Sequence, residues 1–217
     1  MNKSRTKKNI SITFKIFCSV VAISILLTLN WDKVELEGRS MVITLGIDKH
    51  NDNYIVYSCI PSAKSMTENE NDEPDILQDN AESVEEALKK IENKTSDSIY
   101  YAHTKAIILG EDVLKQQDLL YDILDMLEKE YYINIKTIVM ASKQNVEDIL
   151  KAKPSGQSNL GLFLTSYYKI QEKEKGAHVN KIDLEGVSRG LLLKQKIAIP
   201  LILHGDELII EGEMNIL

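Results

Sequence analysis

The sequence predicts an α/β (mixed α+β) protein, in which a mixed β-sheet packs with helices and is preceded by an N-terminal signal-anchor helix. Apolar runs with β-strand character recur from residue 41 to the end of the chain. Segments with apolar residues at helical spacing separate these runs, which indicates helices packed on a sheet. A basic N-terminus followed by an apolar stretch predicts the anchor.

The composition allows one domain with an apolar core, because 43% of the 217 residues are hydrophobic and 27% are charged. Residues 1–30 hold five basic residues and no acid, which leaves 21 basic and 33 acidic residues elsewhere, a net charge of −12. Nucleic-acid binding needs clustered positive charge, so nucleic acid is not an expected partner. The two cysteines, Cys18 and Cys59, exclude a scaffold held by several disulfides.

Residues 1–30 have the pattern of an export segment. A basic start precedes the apolar residues 16–29, and the span 10–29 carries Lys15 as its only charge. Such a segment is either a cleaved signal peptide or an uncleaved membrane anchor. No small-x-small cleavage site precedes Trp31, which favours an uncleaved anchor with the rest of the chain on the extracytoplasmic side.

The first third of the exported part predicts a hairpin, a loop and a helix. "MVITLGID" (41–48) and "NYIVYSCI" (53–60) have the composition of two paired strands. The polar, acidic segment 61–80 predicts a surface loop. Ser83 and Glu86 fit a capping box at a helix start. The apolar residues on one face of that helix are Val84, Ala87, Leu88 and Ile91.

The rest of the chain alternates further strands and helices. Asn145 suits a helix start, whereas Gly186 and Gly190 weaken the helix that contains them. The predicted strands are 105–110, 133–141, 196–203 and 207–217, and the predicted helices are 119–131, 145–150, 160–173 and 184–193. Because the last strand has no turn or polar tail after it, we expect a domain that is cut short.

The sequence indicates no catalytic apparatus, cofactor site or metal site. The four histidines have no second histidine or cysteine at metal-ligand spacing. There is no glycine-rich phosphate loop and no G-x-S-x-G elbow. His103 is the best acid–base candidate, although a histidine bonded to backbone at a strand entrance is the more frequent reading of this pattern. We therefore expect that the protein is not an enzyme.

Three other features allow both a functional and a structural interpretation, and the structural interpretation is favoured for each. Cys59 fits a small apolar core residue. The tyrosine pairs 100–101 and 131–132 could stack on a ligand, but such tyrosines more often cover the edge of a core. The acidic run 68–75 lacks the residue order of a calcium loop and fits a solvated loop.

Two stretches carry a family resemblance. "NWDKVELEGRSMVITLGIDK" resembles the opening of the mature Ger(x)C family, the C subunit of spore germinant receptors. "SIYYAHTKAIILGEDVLKQ" is similar to the central motif of that family, and "VEDIL" and "AIPLI" to weaker later ones. The matching residues are Trp31, Asp32, Glu35, Glu37, Gly46, Ile47, Asp48, His103, Lys105, Ile108, Gly110 and Glu111. The resemblance spans about residues 31–212.

The sequence departs from the family in two ways. Members usually continue through two further domains, so we expect residues 31–217 to be the N-terminal domain of such a subunit, behind an anchor over 1–30. Members usually carry a lipid-accepting cysteine directly before Trp-Asp, where this chain has Asn30. Because Asn30 has no sulfur nucleophile, we expect no lipidation, and the apolar run itself becomes the anchor.

The resemblance implies a non-enzymatic role in spore germination. A C subunit lies on the outer face of the spore inner membrane and assembles with the A and B subunits into a receptor for nutrient germinants. It implies no cofactor, and it implies contact with the germinant only indirectly. The residues alone leave open an extracytoplasmic solute- or envelope-binding module, an anchored hydrolase centred on His103, and a non-functional remnant.

Overall fold

The computed structural model describes residues 15, 17–21, 24, 38–61, 74–152, 154, 159–175, 179–205 and 207–216. The chain divides into two compact units, Met1–Arg39 and Ser40–Leu217. The described residues before position 25 are helical. Within the described ranges, no helix has both the length and the apolar character that a membrane crossing requires. The predicted anchor falls mostly outside these ranges and stays a prediction.

Strands and helices alternate along the described chain. The strands are β1 (Arg39–Met41), β2 (Thr44–His50), β3 (Asn53–Ile60), β4 (Asp75–Ala81), β5 (Ser98–Tyr100), β6 (Ala106–Gly110), β7 (Ile138–Ser142), β8 (Ile197–His204) and β9 (Leu208–Ile216). The helices are α1 (Val84–Glu92), α2 (Glu111–Leu114), α3 (Gln117–Lys129), α4 (Val146–Lys151), α5 (Leu160–Lys175) and α6 (Leu184–Leu192).

Seven of these strands form one mixed sheet in the order β4-β3-β2-β6-β7-β8-β9, and β1 pairs with β5 separately. β2, β6, β7 and β8 run parallel, whereas β3, β4 and β9 are antiparallel to their neighbours. The predicted mixed sheet packed with helices is therefore confirmed.

Helices cover both faces of the sheet. On one face, α1, α2, α3 and α6 bury their apolar sides against residues such as Ile47 and Leu109. On the other face, α4 and α5 pack against residues such as Ile108 and Met140. Every residue of β6 and β7 is buried, because a central parallel strand has a helix layer on each side.

Two helix starts follow from their capping residues. The Ser83 hydroxyl accepts a hydrogen bond from the Glu86 amide at 3.2 Å, which starts α1 as predicted. The Glu86 carboxylate instead lies 3.0 Å from Lys90 Nζ, so the hydroxyl half of the capping box is the half that the structure shows. The Asn145 side chain accepts from the Glu147 amide at 2.8 Å, which starts α4.

The prediction of a loop over 61–80 is wrong for its last part. Asp75–Ala81 forms edge strand β4, paired with β3 from Ile60↔Asp75 to Tyr54↔Ala81. The strand has few large apolar residues, and Ile76 and Leu77 pack toward opposite faces. Its pairing therefore depends on backbone hydrogen bonds, which leave a weak pattern in the sequence. Residues 62–73 and most of the acidic run 68–75 fall outside the described ranges.

The prediction of a strand over 133–141 is wrong for its first half, since β7 begins at Ile138. The Ile133 amide donates to the Leu127 carbonyl at 3.1 Å, and the Thr137 amide donates to the Asn134 carbonyl at 2.9 Å. These bonds form a turn after α3, and Tyr132 at its start has a positive φ of 56°. The apolar spacing of this turn imitates a strand, which explains the error.

Candidate functional site at the carboxyl ends of the central strands

The two family-like motifs meet at one edge of the sheet. β2 and β6 are parallel neighbours, with Ile47 opposite Leu109. The next residues, Asp48 and Gly110, therefore lie side by side where the parallel pairing of β2 and β6 ends. In open α/β sheets, the crevice at the carboxyl ends of the strands is the usual place for a ligand. The contacts of Asp48 decide whether this crevice is open.

Asp48 uses its carboxylate to hold the start of α4. Its Oδ2 accepts from the Val146 amide at 3.3 Å, and its Oδ1 accepts from the Lys49 amide at 2.8 Å. The Val146 amide is among those at a helix start that have no partner inside the helix, and a carboxylate there also complements the positive helix end. Asp48 thus acts as a cap that is supplied by the sheet.

The two motif glycines make room for this contact. A Cβ at Gly110 would stand 2.9 Å from Asp48 Cγ and closer still to Oδ1. A Cβ at Gly46 would stand 2.6 Å from Leu150 Cδ1 and 2.7 Å from Val146 Cγ1. A side chain at either position would therefore force these neighbouring side chains to move. We call Gly46, Asp48, Gly110, Val146 and Leu150 the α4 clamp, because together they seat α4 on the sheet.

Gln144 bonds to the end of β8 at the same carboxyl edge of the sheet. This residue was not identified from the sequence. Its side-chain amide donates to the His204 carbonyl at 2.9 Å, and its Oε1 accepts from the His204 amide at 2.7 Å. The side chain thereby joins the end of β8 to the segment that follows β7, in the manner of a strand residue. A lone glutamine after a strand gives no sequence signal for this role.

Glu111 follows Gly110 and begins α2, where a negative charge is favourable. Its carboxylate lies 3.3 Å from Lys115 Nζ in a surface ion pair. Asp48 and Glu111 thus have different partners, one the α4 amide and the other a lysine on α2. The pair forms no shared acid–base arrangement.

His103 lies at the opposite edge of the sheet, before β6 begins. Its side chain is exposed in a turn where the Thr104 amide donates to the Tyr101 carbonyl at 3.0 Å. The hydrogen bonds that fix the turn belong to the buried Thr104, whose hydroxyl donates to the Tyr101 carbonyl at 2.7 Å and whose carbonyl accepts from Thr137 Oγ1 at 3.0 Å. The structure therefore separates His103 from Asp48 by the length of β6.

The surroundings of Cys59 and of the four tyrosines fit packing roles. Cys59 is 2% exposed, and burial raises the pKa of its thiol to about 12, which opposes a nucleophilic role. Tyr101 packs edge-to-face on Tyr131 with ring centres 5.1 Å apart, and burial raises the pKa of Tyr131 to about 12. Tyr100 and Tyr132 are exposed. The four tyrosines therefore do not form one stacking surface.

Asn30, Trp31 and Asp32 of the first motif, with Glu35 and Glu37, lie outside the described residues. Within the described ranges, no three or more histidine, cysteine, aspartate or glutamate side chains group as metal ligands would. The described motif residues at the carboxyl edge hold a helix in place on the sheet of an α/β domain.

Comparison with known proteins identifies the family. The family model described as "Spore germination protein N-terminal domain" matches residues 32–203, and the chain belongs to this family. This match confirms the Ger(x)C resemblance. The matched span contains the whole α4 clamp and His103.

Two curated relatives come from Bacillus subtilis (strain 168). The chain is 30% identical to "Spore germination protein KC" over 130 residues, which are 56% of this chain and 32% of that protein. It is 27% identical to "Putative spore germination protein YfkR" over 144 residues, which are 59% of this chain and 35% of that protein. The matched part thus covers about a third of each relative's length. No solved structure matches the chain.

Proposed function

We propose that this protein is the C-type subunit of a spore nutrient germinant receptor and acts in germination through protein–protein contacts, without catalysis. The observation that carries the proposal is the family match over residues 32–203. The relative "Spore germination protein KC" supports the same process by its name. The partners in this proposal are A- and B-type receptor subunits, and the nutrient germinant acts on this subunit indirectly.

The geometry of the carboxyl edge supports a contact role. Beside the end of β6, at the edge where α/β enzymes commonly bind a substrate, the Asp48 carboxylate holds the start of α4. A second cap from Asn145 and the bridge from Gln144 further tie this edge together. A domain with its edge bonded in this way presents a fixed outer surface, as a docking scaffold requires.

The proposed location is the outer face of the spore inner membrane. In this proposal residues 1–30 anchor the chain, and residues 31–217 are the N-terminal domain of the subunit. Asn30 replaces the lipid-accepting cysteine of the family, so the anchor works without a lipid. These parts of the proposal depend on the sequence pattern, because Asn30 and most of residues 1–30 lie outside the described residues.

The role is tested by deleting the gene in its sporulating host, in a background without redundant receptors. Dipicolinate release is measured after amino acids or sugars are added, and a strain that carries the wild-type gene at a second locus is the control. We expect the deletion to lose the response to at least one nutrient and the second copy to restore it. An unchanged response to every nutrient would refute the proposed role.

The anchor is tested separately by labelling cells with a fatty acid and fractionating them. We expect the wild-type chain to remain unlabelled and to sediment with membranes. The variant Asn30→Cys is the matched control, because it restores the nucleophile and should take up label. Recovery of the wild-type chain in the soluble fraction would refute the anchor and leave the germination role standing.

A further inference from the structure

A groove with an apolar floor lies between α1, α3 and the β2–β3 hairpin. Its volume is about 440 Å³. Leu119, Ile123 and Met126 of α3 line it, together with Val84 at the start of α1 and Tyr54 of β3. All of these residues are described, and they lie away from the α4 clamp on the other helix layer. The floor is the outer side of the core, because Tyr54, Val84 and Ile123 belong to the core and Met126 packs against it.

The α3 residues of the floor form one helical stripe. Leu119, Ile123 and Met126 are spaced by four and then three residues, so they stand one above another on one face. Ile123 is 9% exposed and belongs to the core, whereas Leu119 at the outer end is 49% exposed. The stripe thus extends from the core into the groove, and Leu119 at its outer end is exposed to solvent.

The rim of the groove is strongly acidic. The carboxylates that line it are Asp52, Glu82, Glu85, Asp122 and Glu130, against the single lysine Lys49. Glu85 forms an ion pair with Lys89. Lys49 Nζ donates to Gln116 Oε1 at 2.8 Å and lies 5.0 Å from the centre of the Tyr54 ring. The Lys49 ammonium group thus contacts Gln116 and Tyr54 of the same protein, and the rim as a whole keeps a net negative charge.

An apolar floor between acidic edges is complementary to an amphipathic helix with basic flanks. Residues 31–217 of a second copy fit poorly, because they carry a net charge of −12 and would be repelled by the rim. An anionic ligand is repelled for the same reason. α3 has 13 residues and is thus about 20 Å long, which allows a partner helix of similar length.

We propose that the groove between α1 and α3 binds an amphipathic helix of another protein, with its apolar face on Leu119, Ile123 and Met126 and with lysine or arginine along both edges. Apolar contact on the floor supplies the affinity, and Met126 adapts to different side chains. Charge pairs along the rim orient the helix and raise the association rate. The inference stands on the groove alone and is independent of the germination role.

The test uses the purified full chain in detergent micelles and a fluorescein-labelled 15-residue peptide that has leucine on one helical face and lysine on the flanks. A second peptide carries glutamate in place of lysine. Fluorescence anisotropy should show that the lysine peptide binds, that added salt weakens this binding, and that the glutamate peptide binds at least tenfold more weakly. Absence of binding by the lysine peptide would overturn the proposal.

Matched variants locate the binding. The double variant Asp122→Lys with Glu130→Lys reverses two rim charges and should weaken binding at least tenfold, and Leu119→Ser should weaken it several-fold. The control double variant Glu92→Lys with Glu128→Lys makes the same charge change on exposed residues of α1 and α3 that do not line the groove. Leu192→Ser removes a leucine of comparable exposure elsewhere.

We expect both controls to bind within about twofold of wild type, with circular dichroism melts showing that every variant folds. Equal losses in the groove variants and their controls would overturn the assignment, since they would show attraction by overall charge. An unchanged affinity in the folded Leu119→Ser variant would equally overturn the apolar floor.

Discussion

The substitution Gly110→Ala tests whether the α4 clamp seats α4. The new Cβ would stand 2.9 Å from Asp48 Cγ, which is well inside the ordinary carbon–carbon contact of about 3.5–4.0 Å. The backbone of Gly110 has φ −67° and ψ 153°, which alanine adopts without strain. The expected cost therefore comes from the displaced Asp48 carboxylate.

The magnitude follows from the hydrogen bonds that Asp48 would lose. Its carboxylate accepts from the Val146 amide at 3.3 Å and from the Lys49 amide at 2.8 Å, at a half-buried position. Hydrogen bonds to charged groups contribute about 1.5–3 kcal/mol each, and the longer bond is the weaker one. We expect Gly110→Ala to lower the free energy of unfolding by about 2–3 kcal/mol.

A double-mutant cycle separates this cause from others. Asp48→Ala alone removes the same two hydrogen bonds and should therefore also cost about 2–3 kcal/mol. In the double variant the new Cβ meets no carboxylate, so its total cost should equal that of Asp48→Ala, and the coupling should equal the full cost of Gly110→Ala, about 2–3 kcal/mol. Gly205→Ala is the matched control, because a Cβ there meets nothing within 4 Å. We expect Gly205→Ala to be neutral.

The assay is urea unfolding of the full chain in detergent micelles, followed by far-ultraviolet circular dichroism. Thermal melts should show a lower Tm, by about 2–4 °C for each kcal/mol. Costs of the two single substitutions that simply add in the double variant would refute the contact between Gly110 and Asp48. A neutral Gly110→Ala would refute the role of the clamp as a whole.

Four further predictions concern other positions. Gly46→Val should destabilise the protein by about 2–3 kcal/mol in the same urea assay, because the added atoms overlap α4; a neutral result would contradict the close approach. In a Cys18→Ser background, Cys59 should react with iodoacetamide at least about 100-fold more slowly in the native than in the urea-unfolded chain, and equal rates would show that the thiol is accessible. His103→Ala should change stability by less than about 0.5 kcal/mol because the side chain is exposed. Thr104→Val should cost about 1–2 kcal/mol through its lost buried hydrogen bonds, and the reverse order of the two costs would contradict the turn geometry.

The helices and central strands could be predicted from the sequence because each has its own local signal. α1 has a serine cap and an apolar face, and β6 is a short buried run. β4 could not be predicted, because an edge strand such as "DILQDNA" is held by pairing with β3. The segment after α3 imitated a strand because Ile133 and Ile135 alternate with polar residues within a turn.

The residues of the candidate site could be found from the sequence, but their roles could not. Gly46, Asp48 and Gly110 belong to motifs that the resemblance identified, yet their spacing does not reveal that α4 lies on them. The contact becomes visible only when the parallel register places Ile47 beside Leu109. Gln144 had no signal at all, because its hydrogen bonds depend on where β8 ends.

The separation of the motif residues bears on how the family should be interpreted. Gly46, Asp48 and Gly110 are tied to the seating of α4, so substitutions there should act through stability. His103 is exposed at the opposite edge, and the bonds of its turn belong to Thr104. A germination defect in a His103 variant that folds normally would therefore indicate a lost contact with a partner, whereas a defect at Asp48 together with reduced protein stability would indicate lost folding. Under the proposed function, variants at the two edges of the sheet would thus distinguish a lost partner contact from lost folding in the same domain.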